Sequence, residues 1–592
     1  MRYATLSLMT WQVGEYIAMD GIVEWEPEIR VRDIEPHCFQ RRFVVPLLFA
    51  QLLFFAVACS PGAGEPSADS PVPIADGIGT DTLLTEIEML SSDAFEGRGP
   101  GSDGETQTIA YLTQAFSNLG AMPGNPDGRW VQDVPLVGIT PVPGEGLSVS
   151  RNGNTYTLEP GTDYVATTKH VVETVEVRDA EFVFVGYGAR APEYAWDDFG
   201  DVDVSGKILL SLVNDPPLDD IFGGPAMTYY GRWTYKHEIA SEMGAVGSFV
   251  IHEVGPAGYP WEVVGSSPYS ESFDLVAADD NRSRTTIEGW MQRTTAEQLF
   301  ELAELDFETA KQQAADRSFR PIPLGVTGST RIENELRRLD SQNFVAKIEG
   351  SEAPNEYVLY VAHWDHLGRN RNLDGDQIFN GALDNASGTA GLIEIARAFI
   401  SAPTLPRRSV LFLGVTAEEQ GLLGSKHYNE NPLYPAAQTV AAINMDGLNQ
   451  WGRTTDLTIV GMGQSELDRI AADVARPLGR VLTADPEPEK GFYYRSDHFS
   501  FAKAGIPAFY ADGGVAYLDK PVGYGFEKRE EYTSNDYHAV SDEIKIDWDL
   551  SGAVEDLTFF YRFGAYLATS NEWPTWSENS EFRAIRETQR PD

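Results

Sequence analysis

The spacing of apolar residues changes along the chain and predicts different elements in different regions. In residues 80–120, apolar side chains recur at helical spacing in the segments DTLLTEIEML and ETQTIAYLTQAFSNLG, with the turn-rich sequence EGRGPGSDG between them. This region therefore predicts two helices joined by a loop. From about residue 145 to residue 290 the pattern consists of short β-rich runs such as AEFVFVGYG and GSFVIHE, separated by Gly and Pro, which predicts an inserted, mostly β domain.

Strand and helix patterns alternate from residue 343 onward. The apolar runs that predict strands are residues 357–362, 409–415, 439–444 and 506–510. The stretch from about Ala386 to Ile400 lies between two of these runs and repeats apolar residues on one helical face. Such alternation is typical of a three-layer α/β/α fold with a largely parallel sheet, so we predict an α/β protein that carries a β insert.

The segment before residue 60 predicts export. Arg41 and Arg42 are followed by the apolar run FVVPLLFAQLLFFAVA, which ends at Cys59, and this order is typical of a bacterial lipoprotein signal. The alternative is an uncleaved N-terminal anchor, because the apolar run is long and the usual Leu three residues before the cysteine is replaced. We expect an exported, periplasmic or outer-membrane lipoprotein of a bacterium, acylated at Cys59.

These patterns divide the chain into five parts. The N-terminal extension and signal are followed by a flexible linker rich in Pro, Ser and Gly, the first part of the main domain, the β insert and the C-terminal α/β part. The predicted bounds are, in this order, 1–59, 60–78, 79–144, 145–290 and 291–592.

The charge balance argues against one class of partner. The chain contains 45 Lys and Arg against 89 Asp and Glu, and its formal net charge is −44. Such a charge repels phosphate backbones and anionic lipid, so we expect no nucleic-acid partner. Membrane contact is expected only through the N-terminal lipid or signal anchor.

Five residues have side chains and positions that suit metal binding: His363, Asp384, Glu419, Asp446 and His538. Three of them follow predicted strands, and loops at the carboxyl ends of parallel strands converge on one edge of the sheet. The set provides two imidazoles and three carboxylates, a mixture that zinc accepts, and a carboxylate has two oxygens with which it can bridge two cations. The sequence therefore predicts a dinuclear metal site.

The motifs around these residues resemble those of a known family. AHWDHLG, NGALDNASG, TAEEQGLLGS, NMDG and DYHAVSDE occur in this order. From about residue 80 to the C-terminus the chain is similar to the leucine-aminopeptidase-like co-catalytic zinc exopeptidases that carry an inserted protease-associated domain. The segment YKHEIASEMGAVGSFVI resembles part of that insert. The resemblance implies the zinc-peptidase form of the α/β/α sheet, which is phosphorylase/hydrolase-like.

The resemblance also assigns the metal ligands. It implies two zinc ions per chain, with Asp384 as the bridging ligand. Glu419 and His538 would complete one site, and His363 and Asp446 the other. Two other histidines offer alternatives, because His498 could replace His538 and His366 could replace His363; the family pattern favours the first assignment in both cases.

Catalytic roles are implied in the same way. Glu418 is the expected general base, which would take a proton from water and deliver it to the leaving amine. Tyr493 matches a tyrosine that steadies the developing oxyanion, and packing is the alternative role for its ring.

Other residues are expected to support the ligands. Asp365 would accept a hydrogen bond from the imidazole of His363 and so fix its tautomer. The peptide bond from Asp384 to Asn385 is expected to be cis, and Asp497 is expected to lie, with the neighbouring histidine at 498, in a supporting triplet.

The implied function is an aminopeptidase that hydrolyses N-terminal residues from peptides. A glutaminyl cyclase or a glutamate-carboxypeptidase-like enzyme of the same fold is the alternative, because these share most ligands. A non-catalytic, receptor-like protein is a further alternative. Such relatives lose metal ligands, whereas all five are present here.

Overall fold

The computed structural model of the protein describes residues 75–590, except residues 219, 220, 225, 258 and 266–268. The predicted signal, its Cys59 and most of the predicted linker lie outside the described residues, so these interpretations stay predictions. Within the described part, no helix has both the length and the apolar character that crossing a membrane requires.

Strands occur throughout the described chain. In order they are β1 (Met122–Pro123), β2 (Val131–Val142), β3 (Leu147–Arg151), β4 (Asn154–Leu158), β5 (Tyr164–Thr167), β6 (Thr174–Phe184), β7 (Arg190–Ala191), β8 (Trp196–Asp197), β9 (Ile208–Leu212), β10 (Gly247–His252), β11 (Ser272–Leu275), β12 (Ile287–Gln292), β13 (Ile322–Ile348), β14 (Ala353–His363), β15 (Gly368–Arg369), β16 (Ile378–Phe379), β17 (Arg408–Val415), β18 (Thr439–Asn444), β19 (Asp456–Val460), β20 (Val481–Ala484) and β21 (Ala508–Gly513).

The α-helices fall into three groups along the described chain, α1–α2, α3–α7 and α8–α14. In order they are α1 (Thr80–Leu90), α2 (Asp103–Leu119), α3 (Trp233–Glu242), α4 (Val254–Ala257), α5 (Glu262–Gly265), α6 (Arg293–Leu302), α7 (Phe307–Ala314), α8 (Gly388–Ser401), α9 (Leu423–Glu430), α10 (Leu467–Ala475), α11 (His498–Lys503), α12 (Tyr524–Asn535), α13 (Ser551–Thr569) and α14 (Arg583–Gln589).

A mixed sheet forms the centre of the C-terminal part. Its strand order is β1, β13, β17, β14, β18, β21, β19, β20. The four central strands β17, β14, β18 and β21 are parallel to one another. These are the four strands that the apolar runs predict, although β14 begins four residues earlier than predicted, at Ala353, and β21 two residues later, at Ala508.

Helices cover both faces of this sheet. Along β14 the buried side chains alternate, so that Val358 and Tyr360 pack with α1, α2, α8 and α13, whereas Leu359 and Val361 pack with α9 and α11. Because successive residues of a strand point to opposite faces, this strand is buried on both sides. The predicted three-layer α/β/α fold is therefore confirmed.

A second core lies in the β-rich region. Strands β5, β12, β10, β9 and β6 are hydrogen-bonded in that order, and β6 pairs with the first half of β13. Their buried side chains form one hydrophobic cluster, which extends from Leu147 to Val326 and includes α6 and α7. The packing thus continues past residue 290, where the sequence pattern placed the end of the insert; that boundary stays a prediction.

Strand β13 pairs both with strands of the β-rich region and with strands of the central sheet. It is 27 residues long; its first half pairs with β3 and β6, its middle with β2 and its last residues with β17. Beyond it, β14 ends at His363, opposite Val415 of β17, and Val361 lies opposite Asn444 of β18. The three loops that follow these strands therefore begin at the same edge of the sheet.

Candidate metal centre

The five candidate ligands lie together at this edge. His363 Nε2 is 3.1 Å from Asp446 Oδ1 and 3.3 Å from Asp384 Oδ1. His538 Nε2 is 2.8 Å from Glu419 Oε2 and 3.4 Å from Asp384 Oδ2. Side chains from the loops after β14, β17 and β18 and from the segment after α12 thus lie close together.

Asp384 stands between two groups of ligands. Its Oδ1 faces His363, which also contacts Asp446, while its Oδ2 faces His538, which also contacts Glu419. One carboxylate therefore divides the cluster into two halves, each with one imidazole and one further carboxylate. This is the division that the family resemblance implies.

The charges of the cluster suit divalent cations. Burial would lower the pKa of His363, but the negative charges of Glu418 and Asp446 outweigh it and raise this pKa well above its usual value. Burial is similarly outweighed at His538, where hydrogen bonds to Asp384 and Glu419 raise the pKa to about 10. The carboxylates thus draw positive charge into the cluster, and imidazole nitrogen with carboxylate oxygen is a donor set that zinc accepts.

The backbone around Asp384 brings its carboxylate into this position. The bond from Asp384 to Asn385 is cis, as the resemblance implies. Asn385 Nδ2 donates to the carbonyl of Met445 at 3.0 Å, and its Oδ1 accepts from the N–H of Gly447 at 3.0 Å. Because these two backbone groups flank Asp446, Asn385 ties the loop of the central carboxylate to the loop of a second ligand.

Glu418 and Asp365 meet beneath the ligands. The N–H of Glu418 donates to Asp365 Oδ1 at 3.1 Å. His363 Nδ1 lies 3.1 Å from the backbone carbonyl of Asp365 but 3.8 Å from its carboxylate. The expected hydrogen bond from the imidazole therefore goes to the backbone of Asp365, because its side chain is turned toward the loop that carries Glu418.

Glu418 itself is in a strongly anionic environment. Burial raises its pKa well above the usual value, the charge of His363 opposes this shift, and Asp446 adds to it. A carboxyl group with a raised pKa can accept and release a proton closer to neutral pH than an ordinary glutamate.

Two further side chains orient the ligands. His366 Nδ1 lies 2.5 Å from Glu419 Oε1, so this histidine holds the oxygen of Glu419 that faces away from His538. Ser496 Oγ donates to Asp446 Oδ2 at 2.6 Å. From the sequence, His366 is only an alternative ligand, and Ser496 carries no signal beyond its place at the start of the SDH triplet, residues 496–498.

The remaining triplet residues are fully buried. Burial raises the pKa of Asp497 to about 7, with an opposing contribution from His363. Burial also lowers the pKa of His498 to about 3, and this ring packs 4.7 Å from that of Tyr493. It is thus His538, rather than His498, that contacts the carboxylates of the cluster.

Two tyrosines differ in their relation to the cluster. Tyr493 is only 7% exposed and packs in the core; burial raises its pKa, and the charges that add to the shift are those of Glu581 and Asp468. Tyr537 is 49% exposed, and its ring stacks on His538 with centroids 3.8 Å apart.

The phenol of Tyr537 is electrostatically part of the centre. Desolvation raises its pKa, and the charges of Asp384, Glu419 and Glu418 raise it further. The sequence pattern does not predict a role for this tyrosine, because the only signal is its position directly before His538.

Comparisons with known proteins show which proteins this part of the chain is similar to. Residues 343–561 match the model of peptidase family M28. The chain is 36% identical over 130 residues to aminopeptidase NAALADL1 of Mus musculus, which covers 21% of this chain and 16% of that protein. It is 33% identical over 144 residues to a probable zinc metalloprotease of Pyrenophora tritici-repentis, which covers 23% of this chain and 32% of that protein.

Among solved structures, the aminopeptidase from Aneurinibacillus sp. strain AM-1 is 18% identical with a TM-score of 0.45, over 84% of this chain and 96% of that one. The chain spans only 16% and 32% of the lengths of the two curated relatives above. All five candidate ligands and Glu418 lie within the segment that the family model covers. The part of the chain that carries the candidate metal centre therefore matches peptidase family M28.

Proposed function

We propose that this protein is a zinc-dependent aminopeptidase with a dinuclear metal site. The observation that carries the proposal is the position of Asp384, whose two oxygens face His363 and His538 separately. Glu419 and His538 would hold one zinc ion, and His363 and Asp446 the other. Zinc bound there supplies Lewis acidity, which polarises a carbonyl oxygen and makes water more acidic.

The protein's own residues supply the proton transfers. Glu418 takes a proton from the attacking water and later delivers it to the leaving amine. The backbone hydrogen bond from Glu418 to Asp365 fixes the turn on which the base lies. Tyr537, whose ring stacks on His538, would donate its phenol O–H to the oxygen that becomes negatively charged.

The β-rich insert contacts the α/β part in the region that precedes and includes α11. Met227 of the insert donates its N–H to the carbonyl of Pro488 at 3.2 Å, and Lys503 of α11 pairs with Glu238 of α3 at 2.8 Å. The insert is therefore anchored beside the segment that leads to the SDH triplet. We propose that it is a protease-associated domain that limits access to chain ends.

Replacing Glu418 by Gln tests the base. We expect Glu418→Gln to retain its zinc, because Glu418 is not a ligand, and to lose about 10²- to 10⁴-fold in kcat. Zinc content is measured by elemental analysis, and turnover with a panel of aminoacyl-nitroanilides. Glu430→Gln, at the end of α9 and exposed, is the matched control and should behave as the wild type.

Two results would contradict the proposal. Near-normal turnover in Glu418→Gln removes that residue as the base. A wild-type protein that cyclises N-terminal glutamine or cleaves acidic dipeptides, but releases no N-terminal residue from the panel, is one of the related enzymes instead of an aminopeptidase.

A further inference from the structure

A buried arginine outside the segment matched by the family model donates hydrogen bonds to two of the loops that carry candidate metal ligands. Arg98 is 0% exposed. Its Nε donates to the carbonyl of Trp364 at 2.8 Å, one Nη donates to the carbonyl of Asn380 at 2.7 Å, and the other donates to that of Gly381 at 2.8 Å. Trp364 directly follows the ligand His363, and Gly381 lies three residues before Asp384.

The turn that carries Arg98 lies very close to these loops. Arg98 has a φ of +50°, and Gly97 before it has a φ of +67°. A Cβ atom on Gly97 would lie 2.3 Å from the carbonyl oxygen of Gly368 and 2.6 Å from that of Phe379. Only glycine permits this close approach at position 97. Gly97 therefore allows the turn that brings the guanidinium of Arg98 to these loops.

A buried carboxylate binds the backbone amides of the same loop. Asp542 Oδ1 accepts the N–H of Leu383 at 3.1 Å, and Oδ2 accepts the N–H of Asp384 itself at 3.1 Å. The backbone carbonyl of Asp542 also accepts the N–H of Ala382 at 3.0 Å. The carboxylate lies only four residues after the ligand His538, so it connects that ligand's segment to the loop of Asp384.

We infer that Arg98 and Asp542 are positioning residues that clamp the loop of residues 380–384 and so fix the bridging ligand Asp384. This inference rests on the proposed function. The guanidinium binds the carbonyls of the loop and the carboxylate binds its amides, so displacing the loop breaks charge-assisted hydrogen bonds. Both groups also contact segments that carry other ligands, which makes the spacing of His363, Asp384 and His538 depend on them.

Zinc binding by the metal-free protein tests the clamp. In Arg98→Met and Asp542→Asn we expect the Kd for zinc, measured by competition with a chromophoric chelator, to rise about 10- to 100-fold, as is typical when residues that orient ligands are lost. Arg98→Lys keeps the charge but not the fork of donors and should recover only part of the affinity. In the double variant the loss should be smaller than the product of the single losses, because both residues hold one loop.

Two matched controls separate the clamp from general stabilisation. Arg397 is bound to Glu394 at 3.1 Å and to Glu86 at 3.2 Å, away from the ligand loops. Asp456 is buried and accepts two consecutive backbone amides, of Val515 at 3.2 Å and Ala516 at 2.9 Å, as Asp542 does. Arg397→Met and Asp456→Asn should bind zinc as the wild type does.

Hydrogen exchange gives a readout that does not depend on zinc. In metal-free Asp542→Asn the amides of Leu383 and Asp384 should exchange faster, while Asp456→Asn leaves them unchanged. Unchanged exchange of these two amides in Asp542→Asn would overturn the clamp. A zinc affinity of folded Asp542→Asn within about two-fold of the wild type would overturn it as well. If Arg98→Met does not fold, Asp542→Asn alone decides the test. A wild-type protein that binds no zinc would instead contradict the proposed function, while the exchange measurement still decides whether the clamp exists.

Discussion

Two tyrosines near the metal centre illustrate how differently single residues of one type can act. The ring of Tyr493 packs among Tyr494, Phe499 and Phe582 in the core on one face of the sheet. The ring of Tyr537 lies on His538 and is half exposed. Only the second combines contact with a candidate ligand and access for a substrate.

Removing each hydroxyl distinguishes these roles. We expect Tyr537→Phe to lower kcat by about 10²- to 10³-fold, because a donor to the developing oxyanion is lost while ring stacking remains. The KM should change little. Steady-state kinetics with an aminoacyl-nitroanilide measures both constants.

Tyr493→Phe is the matched control for this experiment. Its kcat should equal that of the wild type, since the charges that raise the pKa of its hydroxyl are those of Glu581 and Asp468 and not those of the ligands. The opposite outcome, with turnover lost in Tyr493→Phe and kept in Tyr537→Phe, would restore the role that the family resemblance implies for Tyr493.

For single residues, the sequence predicts the candidate metal ligands better than it predicts the residues that position them. His363 and Asp446 could be singled out because each follows an apolar run that predicts a strand. Arg98 and Asp542 could not, because their partners are backbone carbonyls and amides, which carry no mark in the sequence. Their roles depend on which loops the fold brings together.

Helix α2 connects the N-terminal region to the loop of the proposed base. Its N-cap Ser102 accepts the N–H of Glu105 at 3.3 Å. The buried side chain of Glu105 accepts the hydroxyl of Ser341 at 3.0 Å, and that hydroxyl lies 2.6 Å from Thr416 Oγ1. Since Thr416 begins the turn that carries Glu418, one buried carboxyl group links the start of a helix to this turn.

The stability of this arrangement should depend on pH. Burial raises the pKa of Glu105 from 4.5 to about 7, although hydrogen bonds from Gly101 and Ser341 oppose the shift. Between these values the folded state keeps a proton that the unfolded state has lost. The favourable contribution is therefore complete below pH 4.5 and is lost as the pH rises through 7.

Urea unfolding at several pH values measures this effect. In Glu105→Gln the fall in the free energy of unfolding over this pH range should be smaller than in the wild type by about 3 kcal/mol. Glu88→Gln, exposed on α1, should keep the wild-type dependence. A Glu105→Gln profile parallel to that of the wild type would show that Glu105 titrates alike in both states.

At the scale of elements, periodicity predicted the central strands because they are buried on both faces. Strands β14, β17 and β18 read as continuous apolar runs for this reason. Strand β13 escaped notice, because its burial alternates and then changes along 27 residues as its partners change. Its pattern depends on which sheet each part joins, and the sequence alone does not contain that information.

For the molecule as a whole, a small contact region joins the insert to the α/β part. Lys503 Nζ lies 2.6 Å from Tyr229 Oη and 2.8 Å from Glu238 Oε1. The ring of Tyr229 packs 5.0 Å from that of Phe499. The ion pair is partly exposed, with 38% and 40% of its two side chains accessible, so it contributes at most about 1 kcal/mol.

Breaking this pair should loosen the insert without affecting the chemistry. We expect Lys503→Met to accelerate amide exchange in residues 226–238 and to raise the KM for peptides by up to about five-fold. The kcat for an aminoacyl-nitroanilide should stay unchanged. Lys528→Met, which removes the pair with Glu531, is the control, and equal exchange in both variants would contradict a docking role for Lys503.

The 27-residue strand β13 restricts how the two sheets can move. Its backbone passes from one sheet into the other without a loop, so a hinge rotation between them would have to bend a hydrogen-bonded strand. Excising the β-rich region would likewise leave half of β13 as a bare edge, exposed to pairing with other chains. We therefore expect substrates to be admitted by local shifts of side chains and loops, and shortened forms that lack the insert to aggregate.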